Sequence, residues 1–323
     1  MTTSGDVFDD AIYLFSSLGT EQAIGAVIAV IGLCNNILSF LVMSRKDFRH
    51  NSSCFCIRML ALIDMTVCIE YFSLQLWYVS PIYVKRKIGY FYCKHLFAVV
   101  QTALNMSSWT LLYIALLRLV AVVYPLKVAI WCTFFKARLF FAIIFLSFFS
   151  LSVPNMVFYS YTEDPSHPKF NCYVLGKYVS VNQTIELVET IFYVCIPWLL
   201  LGIINALIVY SLFRRSRHQS LGRSGETSTK RKGEDSITRM LLMTTSMFLI
   251  LLTPSALYSI IWEGIYRSAN LTPHLISLRV IHYKVSLMCG TLNHACNFYM
   301  YLIPCERFRK NLREILTCVA NKK

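Results

Sequence analysis

The sequence predicts an all-α membrane protein, a bundle of seven transmembrane helices followed by a short amphipathic eighth helix. Composition is the first observation behind this prediction. Of the 323 residues, 56% are hydrophobic and only 15% are charged, whereas soluble domains carry about 25% charged residues. The second observation is that the apolar residues fall into seven runs, each near the length of about 20 residues that crosses a bilayer as a helix.

The seven predicted spans are numbered here in chain order. They are Gln22–Ser44, Met59–Val84, His95–Leu126, Leu139–Thr162, Thr190–Phe213, Met240–Trp262 and Val285–Cys305. None shows the alternating pattern of a transmembrane β-strand, so helices are favoured. Residues 1–21 then form an N-terminal segment, 22–303 form the membrane domain, and 304–323 form the amphipathic helix and a short tail.

The distribution of Lys and Arg predicts the orientation in the membrane. The regions that follow spans 1, 3, 5 and 7 carry 20 of the 31 basic residues, and the opposite side carries 9. By the positive-inside rule, the N-terminus is extracellular and the chain is a multi-pass protein of the plasma membrane. Segment 214–239 is then a flexible cytoplasmic loop. The net charge of +14 reflects topology and contact with the lipid bilayer, and no nucleic-acid partner is expected.

Several residues outside the bilayer are candidates for covalent modification. Cys93 and Cys172 lie on the oxidising outer side, where they either form a disulfide or remain free thiols. Asn182 and Asn270 begin glycosylation sequons on the same side. On the cytoplasmic side, Cys318 follows the amphipathic helix and is a candidate for palmitoylation.

Polar residues within the spans indicate a functional interior, because charges in the bilayer are costly. Asp64 lies in the inner part of span 2. Four neutral polar residues lie at comparable depth, namely Asn36, Ser107, Asn293 and Asn297. This set either holds a sodium ion or a proton beside Asp64, or it is a hydrogen-bonded network that joins helices. No other cofactor and no structural metal site is expected.

Two further features concern movement. Arg118, at the cytoplasmic end of span 3, either extends to water or acts as a switch that faces inward in one state. Pro154, Pro197 and Pro254 interrupt spans 4, 5 and 6. Each proline removes a backbone hydrogen bond, so these positions are either hinges or static kinks.

Taken together, the motifs resemble those of the rhodopsin-like (class A) G-protein-coupled receptors over about residues 20 to 318. The matching residues are Asn36, Leu60 with Asp64, Cys93 with Cys172, Arg118 of the DRY motif, Pro125, Pro197, Phe248 with Pro254 of FxxCWxP, Asn297 with Tyr301 of NPxxY, and Phe308 with Arg309. The resemblance implies that Arg118 and Tyr301 form the switch that acts on a heterotrimeric G protein. It also implies hinges at Pro197, Phe248 and Pro254.

This chain departs from the family pattern in ways that bear on coupling. Leu117 stands where the family has an acid before the arginine, and the residue after Asn297 is not proline. Val100 and Thr291 replace the Asp of amine receptors and the Lys of retinal proteins, which argues against both ligand classes. The stretch from Ser44 to Asp64 looks like that of invertebrate FMRFamide-like neuropeptide receptors, so an extracellular peptide ligand is implied.

Glu70, Gln101 and Glu189 are the candidate ligand contacts, since a peptide ending in Arg-Phe-amide would need a carboxylate for its guanidinium group. Aromatic residues near these positions could equally serve as anchors at the membrane interface. Two other functions stay open: a chemosensory or poorly coupling receptor of the same fold, and, more distantly, a transporter. An enzyme is not expected, because no nucleophile with a base and no metal-ligand set is present.

Overall fold

A computed structural model describes residues 20–49, 51–161, 172–220, 228–268 and 272–320. Each of the seven predicted spans corresponds to helix in that part of the chain. Span 1 is Thr20–Met43, span 2 is Ser52–Val79, span 3 is Ile82–Val123, span 4 is Phe134–Ser152, span 5 runs through Val179–Thr190, Ile191–Cys195 and Ile196–Ser220, span 6 is Ser228–Ser268, and span 7 is Pro273–Ala295 with Asn297–Leu302. Shorter helices are Lys46–Arg49, Pro125–Lys127, Val128–Trp131, Asn155–Phe158 and Gly176–Tyr178, and the last helix is Glu306–Ala320.

Spans 1 to 6 are long and apolar enough to cross a membrane. Span 7 is more polar, since its outer half includes Arg279, His282 and Lys284. Large apolar side chains such as Leu146 and Ile203 are exposed on the outside of the bundle. An apolar exterior suits lipid and would be unfavourable in water, so the predicted class of membrane-embedded helical bundle is confirmed.

Local capping explains where several spans begin. Asn51 Oδ1 accepts hydrogen bonds from the backbone nitrogens of Ser53 at 2.8 Å and Cys54 at 3.3 Å, which satisfies free donors at the start of span 2. The Thr133 hydroxyl caps span 4 in the same way, through the nitrogen of Lys136 at 3.3 Å. Because caps act on backbone groups, these helices start before their apolar runs do.

Helix also extends farther than the apolar runs predict at several other helix ends. Span 3 begins at Ile82 and not at His95, and span 5 begins at Val179 and not at Thr190. Span 5 continues as helix to Ser220, and span 6 begins at Ser228. The prediction of a flexible loop over 214–239 was therefore wrong for 214–220 and 228–239. Polar residues in water can continue a helix that an apolar segment has begun, which hydropathy alone does not detect.

Span 4 is shorter than predicted and leads into a hairpin at the end of the bundle that the sequence predicts to be extracellular. The helix ends at Ser152, just before Pro154, whose ring blocks continued helical bonding. Strand β1 (Tyr159–Tyr161) then pairs antiparallel with strand β2 (Cys172–Val174). A disulfide joins Cys172 to Cys93 on span 3, which confirms the predicted bridge and attaches the hairpin to the bundle.

Span 5 contains a wide turn where the sequence predicts a proline kink. Residues Ile191–Cys195 form a π-helical turn that ends two residues before Pro197. Such a turn accommodates the missing proline N–H, because it already departs from regular α-helical bonding. Trp109 on span 3 stabilises the turn, since its indole nitrogen donates to the Phe192 carbonyl at 2.9 Å.

Span 7 is interrupted at Cys296, where the backbone leaves regular helix geometry with a bend. The interruption falls directly before Asn297, although the family proline after that asparagine is absent. Helix Glu306–Ala320 follows, and Phe308 on it is fully buried against Phe298 and Tyr301, with ring centroids 5.6 and 6.0 Å apart. The last helix is therefore packed against the inner end of span 7.

Spans 1, 2 and 7 approach each other closely at Gly32. A Cβ atom placed there would lie 2.7 Å from the sulfur of Cys68 and 2.9 Å from the Cβ of Ala295. Small residues at helix contacts allow backbones to come together in membranes, where burial in lipid supplies no drive for association. This close contact positions the polar residues of the three spans in one place.

Candidate functional site

Asp64 is the centre of a polar network deep inside the bundle. Its side chain is 0% exposed. The Ser107 hydroxyl on span 3 donates to Oδ1 at 2.7 Å, and the Asn297 amide on span 7 donates to Oδ2 at 2.8 Å. Three of the predicted polar residues therefore meet as expected.

The third partner of Asp64 is His294, a residue that the sequence analysis did not single out. Its Nδ1 lies 2.8 Å from Asp64 Oδ1 and 3.4 Å from the Ser107 hydroxyl oxygen, and the side chain is fully buried. A carboxylate oxygen accepts hydrogen bonds, so a bond between it and Nδ1 requires that Nδ1 carry the hydrogen. One signal could have found it: His294 precedes Asn297 by three residues, so both lie on one helix face.

Asn293 is buried but does not contact Asp64 through any hydrogen bond that the described residues show. Its carbonyl accepts from the Cys296 thiol at 3.6 Å, while its amide nitrogen has no hydrogen-bond partner among the described residues. The neighbouring residue, His294, faces Asp64 instead. A shift by one residue turns a helical side chain by about 100°, which a depth argument from sequence cannot resolve.

Asn36 supports the network from span 1. Its amide nitrogen donates to the backbone carbonyls of His294 and Gly32, at 2.9 Å in both cases. Asn35, the adjacent residue, donates to the carbonyl of Ala295 at 3.0 Å. Spans 1 and 7 are thus joined at the residues that precede the bend in span 7, which fixes the backbone of His294.

The predicted switch residues lie in the protein interior, at the end of the bundle that the sequence predicts to be cytoplasmic. Arg118 is 7% exposed, so its guanidinium group does not extend freely to water as the alternative required. Tyr301 is fully buried against Phe308. Leu117 beside Arg118 is also buried, so the position that holds an acid in the family here contributes to the core.

The predicted hinge residues of span 6 lie in the core and next to span 5. Phe248 is fully buried, and Pro254 lies inside the helix. Two hydrogen bonds connect this helix to span 5. The Trp198 indole nitrogen donates to the Leu249 carbonyl at 3.1 Å, and the Thr245 hydroxyl donates to Asn205 Oδ1 at 2.9 Å.

Span 7 also contacts the proline of span 6. His282 Nε2 lies 2.9 Å from the Pro254 carbonyl oxygen, which places it as the hydrogen-bond donor there. Nearer the outer end, Arg279 Nε donates to the Tyr258 hydroxyl at 3.3 Å. Any movement of span 6 must therefore break or rearrange polar contacts on both neighbouring helices.

The candidate ligand residues lie on three helices and have different hydrogen-bond partners. Glu70 is half-buried and accepts from the Ser73 hydroxyl at 3.3 Å, next to Tyr92. Glu189 on span 5 is 4% exposed and accepts from the Ser152 hydroxyl at 3.4 Å. Neither carboxylate forms an ion pair within the part of the chain that the structure describes. Gln101 is half-buried, and its carbonyl accepts from Asn105 at 2.9 Å.

The structure bears differently on each of the predicted modification sites. Asn182 is only 3% exposed, and its amide nitrogen, the atom that would carry a glycan, donates to Glu186 at 2.7 Å. This burial argues against a glycan at Asn182. A glycosylation sequon does not report burial, so the sequence alone could not indicate this. Asn270 lies outside the described residues. Cys318 belongs to the last helix, and its palmitoylation stays a prediction.

The last helix is connected to the turn between spans 1 and 2 as well as to span 7. Arg45 pairs with Glu314 at 2.8 Å, and the Asn311 amide donates to Asp47 at 2.9 Å. Arg309 donates to the Leu302 carbonyl at 3.0 Å. The exposed ion pair of Arg45 and Glu314 contributes little to the stability of this arrangement. Asn311 and the buried Phe308 determine where the helix lies.

Comparisons with known proteins agree with this architecture. A family model described as 7 transmembrane receptor (rhodopsin family) matches residues 35–305. The FMRFamide receptor of Drosophila melanogaster is 27% identical over 301 residues, covering 88% of this chain and 51% of that receptor. Neuromedin-U receptor 2 and galanin receptor type 2 of Mus musculus are 24% and 25% identical, each covering 90% of this chain and 74% of the relative. The chain spans about half the length of the fly receptor.

Proposed function

This chain belongs to the rhodopsin family of seven-transmembrane receptors, and from that premise we propose that it is a cell-surface receptor for a neuropeptide. Ligand binding on the extracellular side would be transmitted to a heterotrimeric G protein on the cytoplasmic side. The observation that carries the proposal is that relatives from a fly and a mouse, similar over nine tenths of the chain, are receptors named for neuropeptides.

The outer half of the bundle offers chemistry that suits a basic peptide. Glu189 is a buried carboxylate next to a hydroxyl group, and Glu70 lies beside Ser73 and Tyr92. The half-buried Tyr92 is an aromatic side chain beside Glu70, and the buried Trp77 supports it by stacking, with ring centroids 4.3 Å apart. A guanidinium group would neutralise a carboxylate through charge-assisted hydrogen bonds, and a phenyl ring would pack on the aromatic side chains.

Transmission would depend on the contacts that hold span 6 to its neighbours. A ligand shifts a conformational equilibrium only by its different affinity for the two states. If span 6 moves in the signalling state, the bonds of Thr245 to Asn205 and of Trp198 to Leu249 change. The buried Arg118 then becomes accessible to the G protein. The ligand's preference for that state has to offset the loss of these bonds.

The direct test is a G-protein activation assay in cells that express the chain, with a library of amidated neuropeptides. We expect a response to one or a few peptides that is lost in Arg118→Ala. Arg138→Ala is the matched control, because Arg138 is an exposed arginine at the cytoplasmic end of span 4. Silence of the wild-type protein towards every peptide, with surface expression shown by antibody, would contradict the proposal. It would instead favour a chemosensory or poorly coupling receptor.

A second expectation concerns activity without ligand. Thr245→Val removes the hydrogen bond to Asn205 while keeping the side-chain volume. A bond of about 0.5–1.5 kcal/mol corresponds to an increase in ligand-free signalling of about 2- to 12-fold. Thr244→Val is the matched control, since Thr244 is as buried as Thr245 and its hydroxyl bonds to Met240 of its own helix at 3.0 Å. Equal ligand-free signalling in both variants would show that the bond does not restrain span 6.

The alternative of a poorly coupling receptor draws its support from Leu117 and from the missing proline after Asn297. The bend at Cys296 weakens the second point, because span 7 is interrupted directly before Asn297 without that proline. Tyr301 still reaches the buried position beside Phe308. These features favour a coupled receptor.

A further inference from the structure

We infer that His294 occupies the place of a cation beside Asp64, so that the interior polar network of this receptor is closed to sodium. The sequence suggested a sodium ion at Asp64 as one interpretation of the polar set. The side chains around this carboxylate instead present hydrogens to it. They are the imidazole of His294 at 2.8 Å, the hydroxyl of Ser107 at 2.7 Å and the amide of Asn297 at 2.8 Å.

The chemistry of these donors does not fit a hard cation. Such cations are bound by several oxygen atoms, from carboxylates, carbonyls, hydroxyls or water. The structure places His294 Nδ1 within hydrogen-bond distance of Asp64 Oδ1, and the hydrogen that this bond requires on Nδ1 would repel a positive ion. The Ser107 oxygen already donates its hydrogen to the same carboxylate atom and lies 3.4 Å from the ring nitrogen.

Nearby backbone oxygens are engaged as well. The carbonyl of His294 accepts from Asn36 at 2.9 Å, and the carbonyl of Ala295 accepts from Asn35 at 3.0 Å. Each carbonyl oxygen therefore already accepts one hydrogen bond from span 1.

His294 is also held in this position. Its side chain is 0% exposed, and its backbone is attached to span 1 through Asn36. Gly32 lets span 1 approach so closely that a Cβ there would touch Ala295, the residue after His294. Moving the imidazole away from Asp64 would leave a buried carboxylate with one donor fewer, which is unfavourable. We therefore expect the histidine to remain in the place that a cation would need.

The experiment uses the full chain, purified in lipid nanodiscs without ligand, so its result does not depend on the proposed peptide. Thermal unfolding is measured in sodium chloride and in potassium chloride of equal concentration. We expect the same midpoint in both salts for the wild-type protein. His294→Ser, which replaces the donor ring by a small oxygen ligand, is expected to gain a rise of about 2 °C or more in sodium over potassium.

Two further variants keep the test decisive. His294→Asn offers a carbonyl oxygen at closer to the original volume, in case the serine variant does not fold. The double variant Asp64→Asn/His294→Ser lacks the carboxylate and is expected to lose any sodium response. A rise in sodium for the wild-type protein would overturn the inference. Equal midpoints in both salts for His294→Ser and His294→Asn would also overturn it, because the histidine would not be what excludes sodium.

Discussion

Replacing Gly32 with valine is expected to destabilise the folded protein by about 1–3 kcal/mol or more, because the new side chain has no room. Its Cβ alone would lie 2.7 Å from the Cys68 sulfur and 3.1 Å from the Cα of Ala295, and a backbone atom cannot move aside cheaply. Separation of spans 1 and 7 would also lengthen the hydrogen bonds from Asn35 and Asn36. The loss should appear as lower surface expression and a lower unfolding midpoint.

Gly202→Val is the matched control for this substitution. Gly202 is also a helical glycine, on span 5, but nothing lies within 4 Å of a Cβ placed there. The valine side chain would meet only open space on that side, so the unfolding midpoint should change little. Equal destabilisation by both variants would show that valine acts through helix propensity and not through the contact of spans 1, 2 and 7.

Removal of the outer disulfide has the second large expected effect. The bridge between Cys93 and Cys172 closes a loop of 79 residues, and in the chain-entropy description such a cross-link stabilises the fold by about 4 kcal/mol. In Cys93→Ala, strand β2 loses its covalent attachment to span 3. We expect a lower unfolding midpoint and a loss of peptide response, because the hairpin lies beside the outer half of the bundle.

Two variants separate the bridge from other effects of cysteine. Cys34→Ala changes an exposed free cysteine of span 1 and should leave the unfolding midpoint unchanged. The double variant Cys93→Ala/Cys172→Ala removes both sulfurs and should resemble Cys93→Ala. Recovery of the wild-type midpoint in the double variant would mean that the unpaired Cys172 thiol, and not the missing bridge, causes the loss.

The number of spans and the approximate position of each could be predicted from the sequence, because lipid imposes long apolar segments. Helix boundaries could not. Asn51 starts span 2 and Pro154 ends span 4, and neither position is visible in hydropathy. Spans 5 and 6 extend into 214–239 as helix. The amount of helix that projects into water depends on capping and on neighbouring segments.

The candidate site was predicted in its main members but not in its arrangement. Asp64, Ser107 and Asn297, which the sequence places at comparable depth, form direct hydrogen bonds. Asn293 was placed with them on depth alone, whereas His294 makes the contact. The ligand candidate Glu70 bonds to Ser73 on span 2, whereas Glu189 bonds to Ser152 on span 4. The sequence contains no signal for these partners.

What the sequence determined by itself is the class of protein: a chain with 56% hydrophobic residues in seven long runs has to lie in a membrane as helices. The motif residues also identify the family. Only the tertiary structure decided which side chain faces Asp64, since helix rotation and the approach of span 1 at Gly32 determine that His294 points inward. The physical reason is that hydropathy sets the depth of a residue, whereas packing between helices sets its direction.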